Sequence, residues 1–125
     1  MEKKRRYAMS LATLAAKPHK RMTIVNEGAI NILQTLASSS DPAVQMSCAS
    51  AYAFFSLESA IRVRMLEEGA LASLCQLAQT TNVREAKSIC LRAICNLCVE
   101  EGHEFKMIKV HTIPHYTTLY HTIPH

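Results

Sequence analysis

The sequence predicts an all-α fold built from a repeated three-helix unit. Three observations point to it: a helix-favouring composition, an internal repeat, and apolar residues at helical spacing. The chain has 125 residues with 3 Gly, 4 Pro, no Trp and 6% aromatic residues, a composition that favours helix over strand. Hydrophobic residues make up 49% and charged residues 19%, which is enough for one packed domain.

The repeat is visible in two copies of one pattern, VNEGAINILQTL at 25–36 and LEEGALASLCQL at 66–77. Gly28 and Gly69 are 41 residues apart, and His111 follows Gly69 after 42. At the third position Ile113 matches the Ile and Leu that follow the two glycines. A fixed period of this size indicates stacked helical repeats.

Each copy is preceded by a segment with apolar or small residues at offsets that define one face of an α-helix, except that the first position of the first segment, Lys3, is polar. The last residue of each set lies 14 positions before its glycine or glycine-equivalent. We therefore predict three equivalent long helices. The sets are Lys3, Tyr7, Ser10, Leu11 and Leu14; Val44, Cys48, Ala51, Tyr52 and Phe55; and Ala86, Cys90, Ala93, Ile94 and Leu97.

Turn and capping residues delimit the helices. Asp41 is expected to cap a long helix that has Pro42 at its first position, and Thr81 or Asn82 to cap the next one. Pro18 is expected to stop the first long helix. One unit then has a short, a medium and a long helix. The predicted ranges are 19–27 and 60–68 for the short helices, 29–37 and 70–79 for the medium ones, and 42–57 and 83–99 for the long ones.

Three motifs resemble the armadillo repeat family: EGAI and EGAL at the junctions, RAICNLC at 92–98 and DPAVQ at 41–45. The resemblance covers residues 3–114. HEAT repeats are the nearest alternative, but the three-helix unit and the Gly-Ala-Ile junction favour armadillo. The resemblance implies a right-handed α-α superhelix, an armadillo-like solenoid whose long helices line a concave groove.

The repeat divides the chain into a partial repeat at 1–27, full repeats at 28–68 and 69–110, and a segment at 111–125. In that last segment a further repeat begins and runs into a low-complexity tail of His, Thr and Tyr. We expect a fragment of a longer repeat protein, or a domain that covers its exposed ends by self-association.

The resemblance implies a non-catalytic scaffold that binds an extended peptide or a partner protein in the groove. Arg92 is suited to a carboxylate on the partner and Asn96 to a peptide amide; ordinary solvated surface is the alternative for both. Thr13 and Phe54 stand where importin-like repeats carry asparagine, so a basic nuclear-import peptide is not expected. The predicted groove residues are Met46, Ser50, Phe54, Ser88, Arg92 and Asn96.

The tail HTIPHYTTLYHTIPH suggests a second function, metal binding through its histidines. Pro114 disfavours the regular helix that a spacing of four residues needs for chelation, so we expect neither a metal nor a cofactor. The cysteines Cys90, Cys95 and Cys98, with His103, form a weaker metal or redox alternative, and small buried apolar residues are the preferred interpretation. The tail candidates are His111, His115, His121 and His125.

Other classes of function lack support. The formal net charge of +4 is modest, and the basic run at 3–6 is expected to be a solvated end rather than a nucleic-acid site. No apolar stretch is long enough to span a membrane, although residues 1–17 imitate a signal peptide. Glu67 and Glu68 lack catalytic companions, so we expect no enzyme. Free thiols predict a reducing compartment, the cytoplasm, with the nucleus possible.

Overall fold

The structure is a computed structural model that describes residues 2–99, where the chain forms seven α-helices and no strand. This confirms the predicted all-α class over that range. The third junction and the tail at 111–125 lie outside the described residues. The helices are α1 (Glu2–Ala15), α2 (Pro18–Asn26), α3 (Ala29–Ala37), α4 (Pro42–Phe55), α5 (Ser59–Glu67), α6 (Ala70–Thr80) and α7 (Arg84–Cys98).

Two boundary predictions need correction. Pro18 is the first residue of α2, since α1 already ends at Ala15; proline fits there because the first helical N–H has no partner within the helix. The residue that precedes α7 is Val83, which makes no side-chain cap bond. Thr81 lies two residues before Val83, and its Oγ1 accepts a hydrogen bond from the Val83 N–H at 3.1 Å.

The two junction glycines adopt left-handed backbone conformations, with φ of +95° at Gly28 and +85° at Gly69. Each lies between a short helix and the medium helix after it. Glycine enters this region without the steric penalty that a Cβ atom imposes. Gly28 and Gly69 therefore each allow the chain to turn from a short helix into the medium helix that follows it.

The long helices lie in a row in which α4 contacts α1 on one side and α7 on the other. The medium helices α3 and α6 contact each other and pack on the long helices, while α2 and α5 connect the two sets. One continuous cluster of buried apolar residues runs through the described part of the chain. The row places α4 between two equivalent neighbours.

The long helices differ in how many of their sides they bury. Helix α4 is buried on two sides, whereas α1 and α7 are each buried on one. The buried residues of α1 are the repeat equivalents of one buried side of α4, and those of α7 are the equivalents of the other. They are Ala8, Leu11 and Ala15 on α1, matching Ala49, Tyr52 and Ser56 on α4; and Ala86, Cys90, Ala93 and Leu97 on α7, matching Val44, Cys48, Ala51 and Phe55 on α4.

This pattern corrects the predicted core face of α1. Lys3, Tyr7 and Ser10 are exposed, and Leu14 is only half-buried. On α7, Ile94 is half-buried as well. The equivalent side of α4 is covered by α1, and α1 has no such neighbour among the described residues.

A pair of arginines closes the carboxyl ends of α1 and α4, in positions 41 residues apart. The Arg21 Nε donates to the Ala15 carbonyl at 2.5 Å, and the Arg62 Nη1 donates to the Ser56 carbonyl at 2.9 Å. Carbonyls in the last turn of a helix lack partners within the helix, and a positive charge there also complements the helix dipole. Arg21 is buried in this position.

Candidate protein-binding groove

A surface depression of about 150 Å³ lies between α4 and α7. It contains four of the six predicted groove residues, and Met46 and Ser88 are the two that do not line it. Met46 is half-buried against the core and Ser88 is exposed. The lining residues are Ser50, Ala53, Phe54, Leu57, Ile89, Arg92 and Asn96.

Helical spacing explains why these residues meet. Ser50 and Phe54 are one turn apart on α4, and Arg92 and Asn96 are one turn apart on α7. Residues four apart share a helix face, and the two helices are in contact. The two lines of side chains therefore run beside each other across the α4–α7 boundary.

The apolar part of the depression comes mainly from Phe54, Ile89 and Leu57. Phe54 is half-buried, and the Arg21 guanidinium lies 5.7 Å from the centroid of its ring, within the range of a cation–π contact. Arg21 is itself fixed, since its Nη1 donates to Glu58 Oε2 at 3.0 Å. Leu57 is 56% exposed, so an apolar surface remains open at the edge.

Asn96 is held by the protein through one end of its amide. Its Nδ2 donates to the Ser56 Oγ at 3.0 Å, and that hydroxyl donates to the Ala53 carbonyl at 2.7 Å. Ser56 is fully buried. The Asn96 Oδ1 is therefore the atom suited to accept a peptide N–H.

Arg92 differs from Arg21 and Arg64 in its contacts. It is exposed on α7, and it makes no ion pair or side-chain hydrogen bond with any residue in the range 2–99. By contrast, Arg21 and Arg64 are both paired with glutamates within the protein. An arginine without a described partner, beside an apolar depression, can receive a carboxylate in a bidentate contact.

Among residues 2–99 the cysteines form no candidate metal site. Burial raises the pKa of Cys48 to about 12 and that of Cys90 to about 11, so both thiols stay protonated. The prediction of small buried residues holds for Cys90, is wrong for the exposed Cys95, and is met only partly by Cys98. Over the described range no group of three or more His, Cys, Asp or Glu side chains could hold a metal ion.

The tail histidines His111, His115, His121 and His125, together with His103, lie outside the described residues. Metal binding by the tail therefore stays a prediction.

The glutamates at 67–68 have a structural explanation. Glu68 Oε2 accepts from the Arg64 Nε at 3.0 Å, and its carbonyl accepts from the Gln34 Nε2 at 2.7 Å. Glu67 is exposed at the end of α5. These contacts tie α5 to its own following turn and to α3.

One residue of the basic run also has a defined partner. The Arg5 Nε donates to Asp41 Oδ2 at 2.6 Å, and this bond holds the pKa of Asp41 below its usual range. Asp41 also accepts from the Ala43 N–H at 3.1 Å, as the predicted N-cap of α4. Arg5 thus joins α1 to the start of α4.

None of the helices described here is long and apolar enough to cross a membrane. No family model, curated protein or solved structure matches the chain.

Proposed function

We propose that the chain is an armadillo-like α-solenoid segment that acts as a non-catalytic protein-interaction module. Its ligand is an extended peptide, free or within a partner protein, that carries an acidic side chain close to an apolar one. The observation that carries this proposal is the position of Arg92, without a partner among the described residues, next to the apolar depression and to Asn96.

The depression has the size and chemistry for one apolar side chain. Its volume of about 150 Å³ resembles that of apolar protein cavities that accept a benzene-sized molecule. Phe54, Ile89 and Leu57 supply apolar surface, and Arg92 stands on the α7 side. An apolar residue seated here would bring a nearby carboxylate of the peptide within reach of the guanidinium.

The repeated architecture supports an extended ligand. Successive long helices carry equivalent positions at regular steps, which suits the regular backbone of an extended segment. The row of α1, α4 and α7 and the repeat-equivalent burial of their sides support a stacked arrangement of repeats, and the right-handed superhelix is what the armadillo resemblance implies. We place the protein in the cytoplasm, with the nucleus as the alternative, because the described cysteines are free thiols.

Selection of peptides from a random display library against the full chain tests the proposal. Enriched peptides are expected to carry Asp or Glu near an apolar residue. Arg92→Ala is expected to weaken their binding by about tenfold or more, since hydrogen bonds to charged groups contribute about 1.5–3 kcal/mol. Titration calorimetry with the selected peptides measures this loss.

The matched control is Lys87→Ala. It removes the same charge from the same helix, at a position roughly 140° around the axis from Arg92. Ser50→Glu tests the α4 side, because a negative charge in the depression should repel an acidic peptide. Equal binding by the Arg92 and Lys87 variants, or no enriched peptide at all, would contradict the proposal.

A further inference from the structure

Within the part of the chain that the structure describes, the outer side of α7 is apolar and no helix covers it. Its residues Leu91 and Ile94 are the repeat equivalents of Ala49 and Tyr52, which are fully buried on α4. Leu91 is nevertheless 52% exposed, and Ile94 is half-buried. On α4 the equivalent side is covered by α7, so α7 carries a packing surface whose neighbour is absent from the described residues.

The outer side of α1 is the counterpart at the other end of the row. Its residues Tyr7, Ser10 and Leu14 are the equivalents of Cys48, Ala51 and Phe55, which are all buried on α4. Tyr7 is 50% exposed, Ser10 is exposed and Leu14 is half-buried. A second depression, of about 470 Å³, lies along this side. It is lined by Arg6, Met9, Ser10, Thr13 and Leu14.

The outer sides of α7 and α1 are equivalent to two helix sides that pack against each other within the chain. At the α1–α4 boundary, the side of α1 that includes Leu11 meets α4. At the α4–α7 boundary, the equivalent side of α4, which includes Tyr52, meets α7. At each boundary, the helix side that includes Leu11 or its equivalent Tyr52 packs against the side of the next long helix that includes Cys48 or its equivalent Cys90. The exposed outer side of α7 is equivalent to the Leu11 and Tyr52 side. The exposed outer side of α1 is equivalent to the Cys48 and Cys90 side.

We propose that a second copy of this chain docks head to tail, with the outer side of its α1 on the outer side of α7. The contact would continue the row of long helices from one copy into the next. It uses surfaces separate from the α4–α7 depression, so it is independent of the proposed peptide binding. Because the two surfaces differ, the contact is heterologous, and it forms an open series of copies unless the rotation closes a ring.

Sedimentation velocity of the full chain over a range of concentrations tests this. The wild-type chain is expected to form species that grow with concentration. Leu91→Glu blocks one end and Tyr7→Glu blocks the other, and each variant alone should be monomeric, with its self-association weakened about tenfold or more. Circular dichroism checks that both retain the helical content of the wild type.

Mixing the two variants gives the decisive result. Each retains one intact end, so an equimolar mixture should form a one-to-one dimer and grow no further. Leu57→Glu is the control, since Leu57 is similarly exposed but lies in the depression, and this variant should assemble like the wild type.

Other outcomes overturn the proposal. A wild-type chain that stays monomeric at every concentration shows that the ends do not pair. Assembly by Tyr7→Glu alone would show that α7 pairs with α7. Assembly lost in Leu57→Glu but kept in Leu91→Glu would place the contact in the groove. Peptide binding should be unchanged in Leu91→Glu, so failure of the docking proposal is distinguishable from failure of the peptide proposal.

Discussion

The two boundaries of α4 both bury apolar side chains but use different polar contacts. On the side of α1 and α2 the contacts are ion pairs. Arg5 is bonded to Asp41 at 2.6 Å, and Arg21 is bonded to Glu58 at 3.0 Å. The Arg5 side chain is about half exposed, whereas that of Asp41 is buried. The polar contacts at this boundary are therefore between charged groups, and they are partly exposed to solvent.

On the side of α6 and α7 the contacts are neutral hydrogen bonds. The Thr81 Oγ1 donates to Gln45 Oε1 at 2.8 Å, and the Tyr52 hydroxyl donates to the Ser73 Oγ at 3.0 Å. Gln45, Thr81 and Tyr52 are buried. One repeat boundary therefore depends on ionisation, and the other depends on satisfying buried polar groups. Equivalent positions in the repeat do not require equivalent polar chemistry.

The largest effect is expected from Tyr52→Ala. The Tyr52 side chain is fully buried on the side of α4 that meets α6 and α7. Removal of a large buried aromatic ring costs about 3–5 kcal/mol of unfolding free energy. Urea denaturation measures the cost, and native-state hydrogen exchange should show greater loss of protection in α7 than in α1.

Tyr52→Phe separates the ring from the hydroxyl. It keeps the packing and loses only the hydrogen bond to Ser73, so the expected cost is about 1 kcal/mol. Equal destabilisation by the two substitutions would show that the ring does not hold the α4–α7 boundary.

A smaller effect is expected from Thr81→Val, which has nearly the same shape. The change leaves the buried Gln45 Oε1 without its hydroxyl donor and the Val83 N–H without its acceptor. The expected loss is about 1–3 kcal/mol. Thr80→Val is the control, because Thr80 is exposed. If both variants had the stability of the wild type, the neutral contact would contribute nothing.

The charged boundary should respond to acid. The bond from Arg5 lowers the pKa of Asp41. The stabilisation is therefore present above the ordinary carboxyl pKa and is lost as pH falls through the lower folded-state pKa. The urea midpoint should fall as the pH is lowered below the ordinary carboxyl pKa of 3.8, and less steeply in Asp41→Asn. Equal slopes for the variant and the wild type would exclude Asp41 as the source.

The smallest perturbation is thiol labelling, which needs no substitution. Cys48 and Cys90 are buried with pKa values raised to about 12 and 11, whereas Cys95 is exposed. At pH 8 a maleimide should modify Cys95 quickly and leave the other two unmodified until denaturant is added. Mass spectrometry after digestion identifies the sites. Rapid labelling of Cys90 in the native chain would show that the α4–α7 boundary opens.

Much of the local structure could be predicted from the sequence. The helix ranges and the Asp41 cap each depend on residues close together in the chain, so local patterns predict them. Four of the groove residues meet in one depression because equal helical spacing recurs on α4 and α7. Periodicity carries information about which residues share a face.

What could not be predicted depends on neighbours. Tyr7 is at a core offset but is exposed, since periodicity specifies a packing side without specifying what covers it. The Arg21 and Arg62 contacts with helix ends were also missed, although the two arginines are one repeat period apart. A search for charged residues at repeat-equivalent positions could have identified them. Cys95 was assigned to the core from its residue type alone, and its position on α7 overrides that assignment.

The change in period from 41 to 42 residues has a consequence for how the chain can vary. The medium helix α3 ends at Ala37, and one residue, Ser38, separates Ala37 from Ser39. In the next copy, two residues separate the equivalent Ala78 from Thr81. The loop hydroxyls of Ser39 and Thr81 nevertheless accept from the N–H two positions later in both copies. The extra residue lies before the loop hydroxyl in the chain, so α7 keeps its alignment with α4. The repeat can therefore change in length between the medium helix and the loop hydroxyl while its long helices keep the same neighbours.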